Sequence, residues 1–259
     1  MSEIKISIVT PCLNSEKTIS RTIESVLSQN FEGVEYIIVD GASTDKTLEI
    51  IDSYKNKFDR DSLIVISEQD SGIYDAMNKG ISRARGELIG IINSDDWYEE
   101  NCLETVWRKY KELQKENVVI YGALNFYQNS RLREIAYFSH EFLEERMINH
   151  PTCFVTKNTY SLIGNFDCRY KIAADYEFML RALRKRVEFV GIKCVLASHC
   201  LGGVSSNRQI EKEVISIRYR YGIIGKVDYL FRGIRYLINI IAVDGYMVLK
   251  QGYKKNEKR

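Results

Sequence analysis

Ile89-Gly-Ile-Ile-Asn-Ser-Asp-Asp-Trp97 is the stretch on which the reading of this chain turns: a short apolar run ends abruptly in two adjacent carboxylates. The run from Leu88 to Ile92 reads as a buried strand, since an uninterrupted apolar stretch of this length suits a strand covered on both faces. Open α/β sheets bind ligands in the crevice beyond the carboxyl ends of their strands, which is where Asp95 and Asp96 then fall. Carboxylate oxygens are hard ligands that suit Mg²⁺ or Mn²⁺, and one or two of them leave coordination positions free for a substrate diphosphate. A loop whose aspartates merely cap the next helix is the competing account.

The rest of the first 125 residues alternates strand and helix patterns, as a parallel sheet of βαβ units requires. Strands are expected at Ile4 to Thr10, Tyr36 to Asp40, Leu63 to Ser67, Leu88 to Ile92 and Val118 to Tyr121. Helical spacing relates Ile19, Ile23, Val26 and Leu27, with Asn14 or Ser15 able to cap and Gly33 as a stop. Leu48, Ile51 and Tyr54 follow Ser43 and Thr44 in the same way. Ile73, Met77, Ile81 and Ala84 form a third face before Gly86, and Leu103, Val106, Trp107, Tyr110 and Leu113 a fourth. Beyond residue 125 the alternation weakens, leaving short strand candidates at Ile135 to Phe138 and Thr152 to Val155 and a helix from about Asp175 to Arg186.

Three strand ends meet at one sheet edge in this topology: Val9-Thr10-Pro11-Cys-Leu-Asn14, Ile38-Val39-Asp40-Gly-Ala-Ser-Thr-Asp45 and Asn93-Ser-Asp95-Asp96. Thr10, Asp40 and Asp95 are therefore expected to line one pocket. No G-x-G-x-x-G follows the first strand and no G-x-x-x-x-G-K-[ST] occurs, which argues against a dinucleotide site and a P-loop. What remains is a nucleotide whose diphosphate is neutralised by a metal, with its base within hydrogen-bonding reach of Asp40.

These pieces, together with Gly72-Ile-Tyr-Asp-Ala-Met-Asn-Lys-Gly80, resemble in order and spacing the inverting nucleotide-sugar glycosyltransferases of family 2, whose fold is called GT-A. The resemblance covers roughly residues 4 to 205, and the wording Ser71 to Gly80 is similar to bacterial members that build surface polysaccharides and O-antigens. It implies an α/β fold with a Rossmann-like, mostly parallel central sheet flanked by helices. Residues 1–204 would form the transferase domain, with a nucleotide-binding half (1–125) and an acceptor and catalytic half (126–204), followed by a helical basic tail (205–259). Thr10, Pro11 and Asn14 would border the nucleotide, Asp40 would bond a uracil imide, and Gly72 would let the backbone approach it. Asn93 and Ser94 would stand by the ribose, and Asp95 would be the chief ligand of Mn²⁺ or Mg²⁺ with Asp96 sharing the task. The family usually writes Asp where this chain has Asn93, which adds no charge to the metal site.

Inverting transfer is one in-line displacement and needs a single carboxylate base on the acceptor side. The match is Ala173-Ala-Asp175-Tyr-Glu-Phe-Met-Leu-Arg181, with Ala174 in place of the customary Glu and Asp175 as the base. A plain N-cap explains Asp175 almost as well. His150 and His199 are further metal or diphosphate candidates, and Gly202-Gly203 gives its loop room to close over a donor. Asp75 and Lys79 suit either the pocket or an exposed helix face, and Met77, where relatives carry arginine, suits the core.

Composition sets the outer bounds. With 259 residues, 45% hydrophobic and 28% charged, the chain can bury a sizeable core. Six cysteines without C-x-x-C spacing, and no secretory signal before Ile4, point to a reduced, cytoplasmic setting with most thiols in the core. From Ser205 onward 12 basic residues against 5 acidic give +7, while the remaining 25 basic and 30 acidic residues give −5. The basic tail, with apolar residues from Tyr236 to Leu249, is too short and polar for a span and suits the surface of an anionic membrane or a helix packed on its own domain. Nucleic acid is disfavoured, since no reading motif accompanies the basic residues. The resemblance implies as partners a nucleotide-sugar donor, UDP-linked, and a polyprenyl-diphosphate-linked glycan acceptor at the inner face of the cell membrane. A nucleotide-sugar binding module without turnover and a nucleotidylyltransferase are the competing functions.

Overall fold

The computed structural model describes residues 3–59, 62–201 and 209–236. The chain divides into two compact units, with the boundary between residues 203 and 204. The first unit opens with β1 (Ile6–Cys12), α1 (Ile19–Leu27), β2 (Val34–Asp40), α2 (Thr47–Tyr54), β3 (Leu63–Ser67), α3 (Ile73–Arg83) and β4 (Leu88–Ile91). It continues through β5 (Trp97–Tyr98), α4 (Cys102–Leu113), β6 (Val118–Gln128), β7 (Arg131–Ala136), β8 (Phe154–Thr156), α5 (Lys157–Ile163), α6 (Ala174–Arg184) and β9 (Glu188–Cys200). All strands join one nine-stranded sheet in the order β3-β2-β1-β4-β8-β6-β9-β5, with β7 paired to β6. The fold is the expected mixed α/β, Rossmann-like sheet flanked by helices.

The first four strands pair in parallel, in register Ile8↔Tyr36, Ile8↔Gly90 and Ile37↔Ile64. Here the expected βαβ pattern ends. Val118 to Tyr121 does not add directly to β4: β8 inserts between them, antiparallel to both, so β6 still runs in the direction of β4. β9 then pairs in parallel with β6, and the two-residue β5 pairs antiparallel with β9. Sequence patterning foresaw neither β5, α5 nor β9. The strand expected at Thr152 to Val155 begins at Phe154, because His150–Thr152 forms a 3-10 turn. The strand expected at Ile135 to Phe138 lies earlier, at Arg131–Ala136.

Both sheet faces are covered. Ile6, Ile8 and Cys12 of β1 pack with Tyr36 and Ile38 of β2 and with Ile19, Ile23 and Val26 of α1, the apolar stripe its spacing foretold. On the other face α3 sits so close that a side chain on Gly80 would collide with Val9. The expected face of α3 is buried at Met77, Ile81 and Ala84, but Ile73 is exposed and Tyr74 is buried in its place. Burying Tyr74 instead of Ile73 has consequences for the site.

The second unit contains α7 (Gln209–Arg220) and α8, helical from 226 through 236. Among the described residues no helix is long and apolar enough to cross a membrane. Gly202-Gly203 and the stretch from Leu237 to Leu249 lie outside the described residues.

Candidate active site

The loops that follow β1, β2, β3 and β4 meet at one edge of the sheet, as the parallel order demands, and are stitched by hydrogen bonds. Asn14, held in the left-handed region at φ 48°, donates its N–H to Ser43 Oγ (2.8 Å) and accepts the Thr44 N–H at Oδ1 (2.9 Å). The Ser15 N–H donates to Thr47 Oγ1 (2.7 Å), and the Ser15 and Ser94 hydroxyls are 2.8 Å apart, which ties the β1 loop to the β4 loop. Gly41 lies so close to Asp70 that a side chain there would collide with its carboxylate. Asp70 in turn accepts the N–H of Gly72 (2.9 Å), whose φ of 128° begins α3 in a conformation that favours glycine.

Within this edge the expected residues take different parts. Thr10 stands at the end of β1, but its side chain is fully buried and accepts the Tyr36 hydroxyl (3.0 Å), so it offers no atom to the crevice. Pro11 is likewise buried. Asp40 is fully buried and its oxygens accept the Ser43 N–H (3.1 Å), the Ser43 hydroxyl (2.5 Å) and the Ser67 hydroxyl (2.7 Å). A base therefore meets Asp40 only if Ser43 or Ser67 exchanges its bond. Asp75 and Lys79 serve the loop after β3: Lys79 pairs with Glu68 (3.0 Å) and Asp75 (3.5 Å) and donates to the Gln69 carbonyl (2.9 Å). Met77 is core, as expected.

The two carboxylates of the deciding stretch separate cleanly. Asp96 is fully buried, and its Oδ1 lies 2.6 Å from His199 Nδ1. Burial pushes the Asp96 carboxyl up to about 6 against the opposing pull of His199. Burial also disfavours a charge on His199, but the bond to Asp96 outweighs it and the imidazole pKa is raised. Asp96 is thus engaged by His199 in the interior, which differs from the expectation that it shares an open metal site. Asp95 is half-buried, and its backbone carbonyl accepts Arg21 (2.9 Å), whose guanidinium lies 3.7 Å over the Trp97 ring. Asn93 Oδ1 is buried without a hydrogen-bond partner.

No cluster of three His, Cys, Asp or Glu side chains able to cage a metal exists among the described residues. The donors do fit a cation that arrives with its substrate: hydrated Mg²⁺-type ions are usually held by one or two carboxylates plus phosphate oxygens. Asp95 is the half-buried carboxylate of this loop, and Asn93, two residues before it, has an amide oxygen without a partner that is a neutral second donor.

Asp175 lies in the first turn of α6. It is the second helical residue, one past Ala174, and the residue at the cap position, Ala173, makes no side-chain bond to the helix. Its Oδ1 accepts the Tyr176 N–H (2.9 Å) and the hydroxyl of Tyr74 (2.9 Å), which also reaches the Ile172 carbonyl (2.7 Å). Two elements therefore aim this carboxylate, α3 through the Tyr74 hydroxyl and the first turn of α6 through the Tyr176 N–H. His150 belongs to this side: the charge it feels is Asp175, its ring packs edge-on against Phe166 (5.9 Å), and burial lowers its pKa, leaving a neutral imidazole. His199 is the histidine beside Asp95 and Asp96. Sequence reasoning missed Tyr74, Arg21 and the serines on Asp40. Tyr74 stood inside a quoted motif, and its burial in place of Ile73 was the signal.

Comparison with known proteins follows this geometry. Residues 7–187 match the model of glycosyl transferase family 2. A "PGL/p-HBAD biosynthesis glycosyltransferase" of Mycobacterium bovis is 30% identical over 221 residues, covering 83% of this chain and 84% of that protein. "Glycosyltransferase GlyG" of Streptococcus pneumoniae is 38% identical over 119 residues, covering 46% of this chain and 39% of its own length. Among solved structures, S. aureus TarS 1-349 in complex with UDP-GlcNAc superposes with a TM-score of 0.70 at 20% identity, covering 88% of this chain and 69% of that one. The mannosyltransferase PcManGT from Pyrobaculum calidifontis, in complex with GDP-Man and Mn²⁺, gives 0.65 at 15% identity, covering 87% and 66%. At these identities the two structures establish the shared fold.

Proposed function

The chain belongs to glycosyl transferase family 2, and from that premise we propose that it transfers a sugar, with inversion, from a UDP-sugar to a hydroxyl of a lipid-linked cell-envelope glycan. The observation that carries the reading is a pair of carboxylates in different surroundings. Asp95 is half-buried on the loop after β4, while Asp175 is aimed by the Tyr74 hydroxyl and the Tyr176 N–H in the first turn of α6. A nucleotide-sugar needs the first and an attacking hydroxyl needs the second. TarS, a fold relative, takes UDP-GlcNAc, and the mycobacterial relative works in PGL/p-HBAD biosynthesis, which supports a UDP-sugar and an envelope acceptor.

In this proposal Asn14, Ser94 and the turn fixed by Asp40 receive the nucleoside, and Gly72 admits its backbone approach. Asp95, with Asn93 beside it, would hold Mn²⁺ or Mg²⁺, which when bound neutralises charge on the departing diphosphate. Arg21 keeps the Asp95 loop in place by stacking on Trp97 and bonding the Asp95 carbonyl. Asp175 takes the proton of the acceptor hydroxyl as that oxygen closes on the anomeric carbon. Asp96 and His199 support the loop from behind.

A thermal-shift screen of nucleotide-sugars with and without Mn²⁺ tests the donor site, since a ligand at a hundredfold its Kd stabilises the folded chain by about 2.7 kcal/mol. Asp95→Asn should abolish the Mn²⁺-dependent part of the shift. Asp175→Asn should keep the shift and lose most turnover, falling roughly 10²-fold or more. Unchanged turnover in Asp175→Asn sinks the base assignment, and stabilisation by no nucleotide-sugar sinks the reading.

A further inference from the structure

Among its described residues, the second unit carries an exposed apolar surface. One side of α8 packs on α7 through Tyr229, whose ring stacks on Tyr219 with centroids 4.4 Å apart and planes 25° from parallel. Facing away from that stack, Val227, Leu230, Phe231 and Ile234 fall at i, i+3, i+4 and i+7, a single helical stripe. These side chains are 82%, 52%, 67% and 56% exposed, values that a stripe packed into a protein core would not have.

The charges beside the stripe select its occupant. At 100° per residue Lys226 and Arg235 border it on its two sides, while Asp228, the acid on this helix, is already paired with Arg232 (3.0 Å). An apolar stripe flanked by cations is the arrangement of a helix lying in a bilayer interface, with aliphatic and aromatic groups among the acyl chains and the basic groups at anionic headgroups. The residues from 205 onward carry +7 in sum, so attraction to a negative surface acts over the whole unit.

We infer that the stripe Val227, Leu230, Phe231 and Ile234, bordered by Lys226 and Arg235, docks the protein on the surface of an anionic phospholipid bilayer. This deepens the reading of a lipid-linked acceptor: an enzyme held in the interfacial plane searches two dimensions for a substrate confined to them.

The test is co-sedimentation of the full chain with vesicles of phosphatidylcholine alone and of phosphatidylcholine mixed with phosphatidylserine. The wild-type chain should partition to the mixed vesicles and be released by salt. Phe231→Ser/Ile234→Ser, which alters exposed positions and so leaves the fold intact, should partition at least ~10-fold more weakly. Lys226→Gln/Arg235→Gln should lose most of the preference for the mixed vesicles over the neutral ones. Absence of wild-type binding overturns the inference, as does serine-variant binding equal to wild type, which would locate membrane contact elsewhere in the chain. Light scattering without lipid supplies the other arm: a wild-type dimer that the serine variant dissociates would make a second copy the occupant. Donor hydrolysis by the serine variant should equal wild type, so failure of this surface is distinguishable from failure of the transferase reading.

Discussion

Replacing Tyr74 by Phe removes one oxygen and leaves the ring packed against Phe166, whose centroid lies 5.5 Å away. The lost hydroxyl supplied one hydrogen shared by two acceptors, the Ile172 carbonyl at 2.7 Å and Asp175 Oδ1 at 2.9 Å. A hydrogen bond to a charged group contributes about 1.5–3 kcal/mol, and sharing the hydrogen places this one near the lower end, about 1.5 kcal/mol. If that energy holds the carboxylate in line with the acceptor hydroxyl, Tyr74→Phe lowers kcat roughly tenfold, since each 1.36 kcal/mol is a factor of ~10. Asp175 keeps its bond from the Tyr176 N–H, so the loss should stay well short of that in Asp175→Asn. The assay is steady-state UDP release with acceptor present, giving kcat and the donor KM separately. The donor KM should not move, because Tyr74 acts on the acceptor side. Combining both substitutions supplies the control: once Asp175 is an amide, losing the hydroxyl should cost little more. A kcat within twofold of wild type, or full multiplicative losses in the double variant, would refute the positioning role.

Two further outcomes follow from packing and charge. Removing His199 strands a fully buried carboxylate, so His199→Ala should cost about 3 kcal/mol in denaturant unfolding at neutral pH, whereas Asp96→Asn/His199→Ala should recover a large part of it; equal losses would deny the ion pair. Gly80→Ala drives a methyl into Val9 on β1 and should destabilise the domain by about 1–3 kcal/mol with the m-value unchanged, and Val9→Ala in the same chain should relieve it.

The first four strands were legible because each is a short apolar run ending at turn residues, and their parallel order then fixes which loops share an edge. The lacing of Asn14, Ser15, Ser43, Thr44 and Ser94 is the physical form of that inference. What lay beyond local pattern was pairing across long separations. β9 hides its strand signal because only part of it is buried and Gly191 and Lys193 interrupt its apolar residues. β8 belongs between β4 and β6 for reasons of sheet closure that no window of sequence contains.

That blind spot explains the residual ambiguity of the site itself. From the sequence, Asp95 and Asp96 are two equivalent carboxylates on one loop. The register Trp97↔Ser198 brings β9 against β5 and sets His199 beside Asp96, although 103 residues separate them. A buried carboxylate requires a partner, and once β9 supplies it Asp96 is committed to the interior. Asp95, whose side chain makes no hydrogen bond or ion pair among the described residues, is then the carboxylate left for a ligand. The strand that gave no signal of its own thus decides which of the two aspartates the deciding stretch presents to chemistry.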